Sequence, residues 1–188
     1  VLVSDCPWQY SNFRESRHGA AEAKYATMPL EELKKIPVQK WLDKDCIHFM
    51  WATWPHLAAS LELMTAWGFE YKTGLPWVKT VNDKIRSGIG FFTRSASELL
   101  LIGVKGLPQR KLETSETPVG LLMGEDEVFY APIGKHSKKP ENIQDWIGRA
   151  YDGPKLELFA TRERQDWVCL GSSVGWVLSE RGAEKIID

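Results

Sequence analysis

At 188 residues, with 43% hydrophobic and 26% charged side chains, the chain has the apolar content for one sizeable core, which argues against a wholly disordered or membrane chain and favours a single domain over residues 1–188. Its formal net charge of −1 excludes nucleic-acid binding by bulk charge, so any such binding has to depend on a local basic surface.

The first predicted element is a buried strand over residues 1–4, which ends on Asp5, Cys6, Pro7 and Trp8. Gln9 to Thr27 resists assignment and is expected to be a long loop, and "CIHFMW" (46–51) reads as the second strand. Pro55 to Trp67 brings Leu57, Ala58, Leu61, Met64 and Trp67 onto one helical face, with Pro55 in the first turn and Gly68 as the stop. "LPWVK" (75–79) is the next strand, Thr80 to Ser97 a second loop, "ELLLIGV" (98–104) a strand and Pro108 to Lys135 a third loop. Pro140 to Tyr151 predicts a helix with Ile143, Trp146, Ile147 and Ala150 inward, and "KLELF" (155–159) and "WVCLG" (167–171) are the closing strands. Strands alternating with helices point to an α/β layered fold.

In such a fold ligands bind beyond the carboxyl ends of the strands, where Asp5 stands. On the bland alternative Asp5 caps a turn and Trp8 packs in the core. The functional alternative concerns an aromatic amine, whose lone pair is delocalised into its ring until acceptors draw its hydrogens away. The Asp5 carboxylate and a backbone carbonyl on the adjoining turn, held by Pro7, are two such acceptors. Trp8 would then stack on the face of the base. Of the nine tryptophans, most are expected in the core; Trp8 and Trp54 sit where a ligand would lie.

"DCPW" resembles the D-P-P-[YFW] motif of amino methyltransferases that use S-adenosylmethionine. Further blocks resemble the MT-A family, named after the seventy-kilodalton subunit of the messenger-RNA adenosine methyltransferase. They are "YATMPLEELKKIPV" (25–38), "HFMWATWPHLAASLELMTAWGFEYKTGLPWVKT" (48–80), "GIGFFTRSASELLLIGVKG" (88–106), "HSKKPENIQDWI" (136–147) and "KLELFATRERQDWVCLG" (155–171). Each alone is weak, and their shared order is specific. The resemblance implies a Rossmann-like class I methyltransferase fold with permuted motif order, a mixed, mostly parallel sheet of about seven strands flanked by helices. It also implies methyl transfer from S-adenosylmethionine to the exocyclic amine of adenine in DNA or RNA.

The resemblance assigns Asp5, Pro7 and Trp8 to catalysis. Toward the cofactor it implies Asp5, Cys6, Ser137, Lys139, Pro140, Glu157, Phe159, Thr161, Arg162, Gly171, Ser172 and Ser173. Lys139 would pair with the methionine carboxylate and Glu157, a carboxylate inside an apolar strand, with the ribose hydroxyls. For the nucleic acid it implies Trp8, Tyr25, Lys79 and Glu98, joined by Arg86 and Arg94 from the basic residues of the loops (Lys84, Lys105, Arg110 and Lys111 among them). Cys6 stands where the family has its first proline, Thr161 where it has an arginine, with Arg162 next, and Ser172 where it has an asparagine. A segment that in relatives precedes the catalytic strand and helps hold the adenine has no counterpart in this sequence.

Cys6, Cys46 and Cys169 are far apart without a C-x-x-C pair, and His18, His48, His56 and His136 lack ligand spacing, so no metal is expected. "GIGFFT" lacks the third glycine and the preceding strand of a dinucleotide fingerprint. No apolar run approaches the ~20 residues of a membrane span, and Val1 opens without a basic signal-peptide start, so the expected setting is the cytoplasm, with an N-terminus open to having been trimmed. The alternatives are a catalytically silent nucleic-acid-binding subunit on the same fold and a cytosine exocyclic-amine methyltransferase. The expected partners are the nucleic acid and a second subunit, as a homodimer or a heterodimer.

Overall fold

The computed structural model describes residues 1–9, 27–88, 92–109, 129–134 and 138–186. Among them the strands run β1 (Leu2–Asp5), β2 (Cys46–Ala52), β3 (Glu70–Val81), β4 (Lys84–Ile85), β5 (Ser97–Lys105), β6 (Phe129–Pro132), β7 (Leu156–Leu158), β8 (Val168–Leu170), β9 (Trp176–Ser179) and β10 (Gly182–Lys185). The helices are α1 (Leu30–Lys35), α2 (Leu57–Ala66) and α3 (Glu141–Ala150).

The main sheet has eight strands in the order β4-β3-β5-β2-β1-β7-β8, with β6 beside β3. Strands β1, β2, β3, β6, β7 and β8 share one direction, and β5 runs against both of its neighbours, β2 and β3. This is the mixed, mostly parallel α/β sheet that the motifs imply. The central strand β2 is buried along its whole length, as an apolar run must be when both sheet faces are covered. On one face Leu2, Met50 and Leu101 pack with Leu33, Leu63, Met64 and Trp67 of the α1 and α2 layer. On the other Val3, Phe49, Trp51 and Trp77 pack with Ile143, Trp146 and Ile147 of α3.

Several expectations change. The stretch Thr80 to Ser97 is not all loop: β3 runs to Val81 and turns back into β4 through Asn82 and Asp83, both at positive φ (49° and 58°), the backbone of a two-residue hairpin turn. Inside the predicted loop Pro108 to Lys135, β6 pairs in parallel with β3 and buries Phe129 and Ala131. β8 is not the last strand, since β9 and β10 form a separate antiparallel hairpin. On α2 the inward stripe is Ser60, Leu63 and Met64, followed by Trp67, while Ala58 is exposed; apolar residues occur nearly all round this helix, so spacing alone did not select the buried stripe. For α3 the expected inward residues are the buried ones.

Two glycines mark close approaches. Gly106 turns at φ +64° where an added Cβ would strike the Lys44 carbonyl at 2.5 Å. Gly171, just past β8, leaves room for the backbone after β7: an added Cβ would lie 2.5 Å from the Ala160 oxygen and 2.6 Å from its nitrogen. Because those neighbours are main chain, Gly171→Ala should destabilise by about 1–3 kcal/mol, lowering the melting temperature by roughly 3–10 °C; an unchanged melting temperature would contradict this packing.

Candidate active site

Side chains alternate across a pleated strand, so register decides which residues meet. Asp5 lies opposite Trp51, Val3 opposite Glu157, and Trp77 opposite Glu98. With Val3, Trp51 and Trp77 on the α3 face, the same face receives Asp5, Glu157, Glu98 and, two residues after Trp77, Lys79. All but Glu157 stand at the carboxyl edge of the parallel strands, beside which α3 begins. Pro140 precedes the first turn of α3 with extended backbone, ψ 124°, and Lys139 comes directly before it.

Lys139 joins the group. Its Nζ lies 3.0 Å from Asp5 Oδ2 and 3.1 Å from Glu98 Oε2, and it sits 5.8 Å above the Trp51 ring. The other oxygen of Glu98 accepts from Lys79 Nζ at 2.6 Å. Burial works against the charge on Lys139, but the two carboxylates outweigh it and hold its pKa above the ordinary range. Burial likewise pushes Glu98 up, and Lys139 and Lys79 overcome it, leaving Glu98 below its ordinary value. For Asp5 burial prevails over Lys139, so its pKa is raised. Asp5 is also the member that solvent reaches, with a side chain 34% exposed against 11% for Lys139 and 12% for Glu98.

A cleft partly open to solvent lies beside this cluster. Its walls include Asp5, Trp51, Lys139, Gln144, Glu157, Phe159, Thr161 and Arg162. Burial raises the pKa of Glu157 against a lowering hydrogen bond from Gln144. Phe159 holds φ +61°, a left-handed backbone that costs a non-glycine residue about 1–3 kcal/mol and collects at functional sites. Arg162 is tied to Glu141 of α3 at 2.7 Å.

The turn after Asp5 divides its residues between two sides. The Cys6 thiol, 5% exposed, packs in the α1 and α2 core and not in the cleft, and burial drives its pKa up. Its carbonyl accepts from the Trp8 N–H at 2.9 Å, and the Pro7 carbonyl from the Met28 N–H at 2.7 Å. Trp8 is 6% exposed and stacks on His56, ring centres 5.3 Å apart at 13°.

Gly171 is buried and Ser172 and Ser173 are exposed, following β8 on the far side of β7 from Asp5; none of the three lines the cleft. Arg86 and Arg94 are exposed around the β3–β4 hairpin. Tyr25 and Ser137 lie outside the described residues, as do His18, His136, Arg110 and Lys111. Sequence reasoning missed Gln144, which also accepts from Arg164 at 2.6 Å. A polar residue between Ile143 and Ile147 on the buried stripe of α3 was the signal for it. Among the described residues, no group of three or more His, Cys, Asp or Glu side chains could hold a metal ion.

Comparison with known proteins agrees in extent. The MT-A70 family model matches residues 1–173. The type II methyltransferase M.MunI of a Mycoplasma species is 33% identical over 185 residues, covering 89% of this chain and 74% of that protein. The human N(6)-adenosine-methyltransferase catalytic subunit METTL3 is 29% identical over 181 residues, 93% of this chain but 28% of its own length. The mouse N(6)-adenine-specific methyltransferase METTL4 is 26% identical over 186 residues, which is 37% of its length.

Without Lys139 two partly buried carboxylates would face each other. Lys139→Met should therefore cost on the order of 3 kcal/mol near pH 8. The loss of the cation raises the Asp5 pKa further, and a raised carboxylate pKa favours the fold as protons are added. The deficit relative to wild type should thus shrink as the pH falls toward about 5; urea denaturation at both values reads it, and a deficit equal at both would contradict the pairing.

Proposed function

The chain belongs to the MT-A70 family, and from that premise we propose that it transfers a methyl group from S-adenosylmethionine to the exocyclic amine of adenine in DNA or RNA. The observation that carries this reading is the Asp5 carboxylate, solvent-reachable at the end of β1 and held on one oxygen by Lys139. Its other oxygen, Oδ1, is left to accept an N–H of the amine. The Cys6 carbonyl gives one lone pair to Trp8 and has a second for the other N–H. Drawing both hydrogens toward acceptors returns the lone pair to the nitrogen, and acceptors fixed beforehand need no reorganisation to do so. The raised pKa of Asp5 makes Oδ1 a better proton acceptor than an ordinary carboxylate when the methylated nitrogen sheds its proton.

The donor set also fits the cofactor. Lys139 is a cation for a carboxylate end, Asp5 an acceptor for an ammonium, and Glu157, a carboxylate under desolvation, an acceptor for the paired hydroxyls of a ribose. Phe159 supplies an apolar wall. When bound, S-adenosylmethionine supplies the electrophilic methyl carbon. As Trp8 is packed under His56, its part in this reading is to fix the turn that carries the Cys6 carbonyl, and stacking on the target base would require that packing to open. The reading extends to a second subunit, identical or related, and to an intracellular setting; no described helix is long and apolar enough to cross a membrane.

The test is incubation with methyl-labelled S-adenosylmethionine and single-stranded DNA, duplex DNA or RNA, followed by nucleoside mass spectrometry. Label is expected on the amine of adenine, and Asp5→Asn should reduce it at least about a hundredfold while circular dichroism shows an intact fold. Label on cytosine would replace the substrate, and no label on any nucleic acid would overturn the assignment in favour of a silent subunit.

A further inference from the structure

Of the nine tryptophans, Trp54 is the one left exposed, at 50%. It begins a single 3-10 turn, Trp54–His56, directly after β2. Two constraints hold it. Its Nε1–H donates to Ser97 Oγ at 3.0 Å, and the following Pro55 restricts the backbone. The turn itself is fixed from behind by His56, which bonds Thr53 Oγ1 through Nδ1 at 3.0 Å and stacks on Trp8. A large flat ring is thus exposed without being loose, and the polar edge that would otherwise bind water is already bonded.

Its position matters as much as its exposure. Ser97 is the residue before Glu98, the carboxylate shared by Lys139 and Lys79, and Trp54 is three residues past Trp51, the partner of Asp5 in the ladder. Three residues of chain reach at most roughly 10 Å. Exposed Arg94 precedes Ser97 by three residues, and the backbone between the two is bonded to the β3–β4 hairpin and the residues after it: Lys79 N–H to Ala96 O and Gly88 N–H to Ser95 O, both 2.8 Å. Arg86 of that hairpin is exposed as well. This edge of the sheet therefore carries an exposed aromatic face and, on the adjoining backbone, exposed arginines, a combination suited to holding unpaired nucleic acid by stacking bases and neutralising phosphates.

We propose that Trp54 is a substrate-stacking residue that receives the base next to the target adenine in an unpaired strand, holding the strand so that the target amine reaches Asp5. This rests on the function proposed above and adds to it a residue and a strand state. The sealed packing of Trp8 leaves Trp54 as the indole with a face open to a base at this edge. An unpaired strand also avoids the cost of unstacking a duplex.

The test uses the full chain and a single-stranded oligonucleotide with one adenine flanked by 2-aminopurine, whose fluorescence reports stacking. Wild type should change that fluorescence on binding. Trp54→Ala should abolish the change and raise KM for the oligonucleotide about ten- to a hundredfold, the range for one lost base–aromatic stack, with kcat changed less. Trp54→Phe, which keeps a flat face, should restore both; Trp54→Leu, which keeps apolar bulk alone, should not. Calorimetric binding of S-adenosylmethionine, the same in all variants, shows that each is folded. Wild-type KM and fluorescence in Trp54→Ala, or rescue by Trp54→Leu, would overturn the stacking role. If wild type methylates adenine and Trp54→Ala is indifferent, only this inference fails; if wild type methylates nothing, the underlying function fails.

Discussion

A lysine ammonium 11% exposed is affordable only when counter-charges surround it, and the contacts of Lys139 with Asp5 and Glu98 supply them. Three separate parts of the chain meet there: the end of strand β1, the start of the antiparallel strand β5 and Lys139, two residues before α3. The β1–β2 and β2–β5 registers bring the two carboxylates to one edge, and the start of α3 brings the cation. Lys139 holds one oxygen of Asp5, which lines the cleft, so the same ion pair that ties the start of α3 to the sheet also restrains the acid.

The two faces of the sheet are specialised. The face under α3 carries the charges. The opposite face is kept neutral even where it holds a titratable group: His48, fully buried and bonded to Ser4 Oγ at 2.8 Å, has its pKa pushed down to about 3 by burial. Cys6 points to that face and Trp8 is sealed against His56. The tetrapeptide that begins at the last residue of β1 is thus divided between the faces, with Asp5 on the α3 side and Cys6 and Trp8 packed on the other.

The sequence made some of this legible and not the rest, for physical reasons. Asp5 is legible as a carboxylate closing a mostly apolar strand, once the motif around it is added, and Glu157 as a carboxylate inside an apolar strand; Glu98 is legible only through its motif. Lys139 differs from any surface lysine only through its motif. Strand β4 was missed because its turn is Asn82-Asp83 in place of the usual Asn-Gly, and β6 because Phe129–Pro132 is too short to show alternation. Most tryptophans are core, as composition suggests; the different fates of Trp8 and Trp54 were not legible, because whether an indole is a wall or a platform depends on a neighbour far away in sequence, His56 for Trp8 and Ser97 for Trp54.

We propose that the cleft beside this ion cluster receives S-adenosylmethionine through Lys139 and Glu157. Titration calorimetry with that compound addresses it without any nucleic acid. Wild type should bind it, and Glu157→Gln at least about tenfold more weakly, since a carboxylate bonded to hydroxyls contributes more than a neutral amide. No heat with wild type, or equal affinity in both proteins, would contradict it.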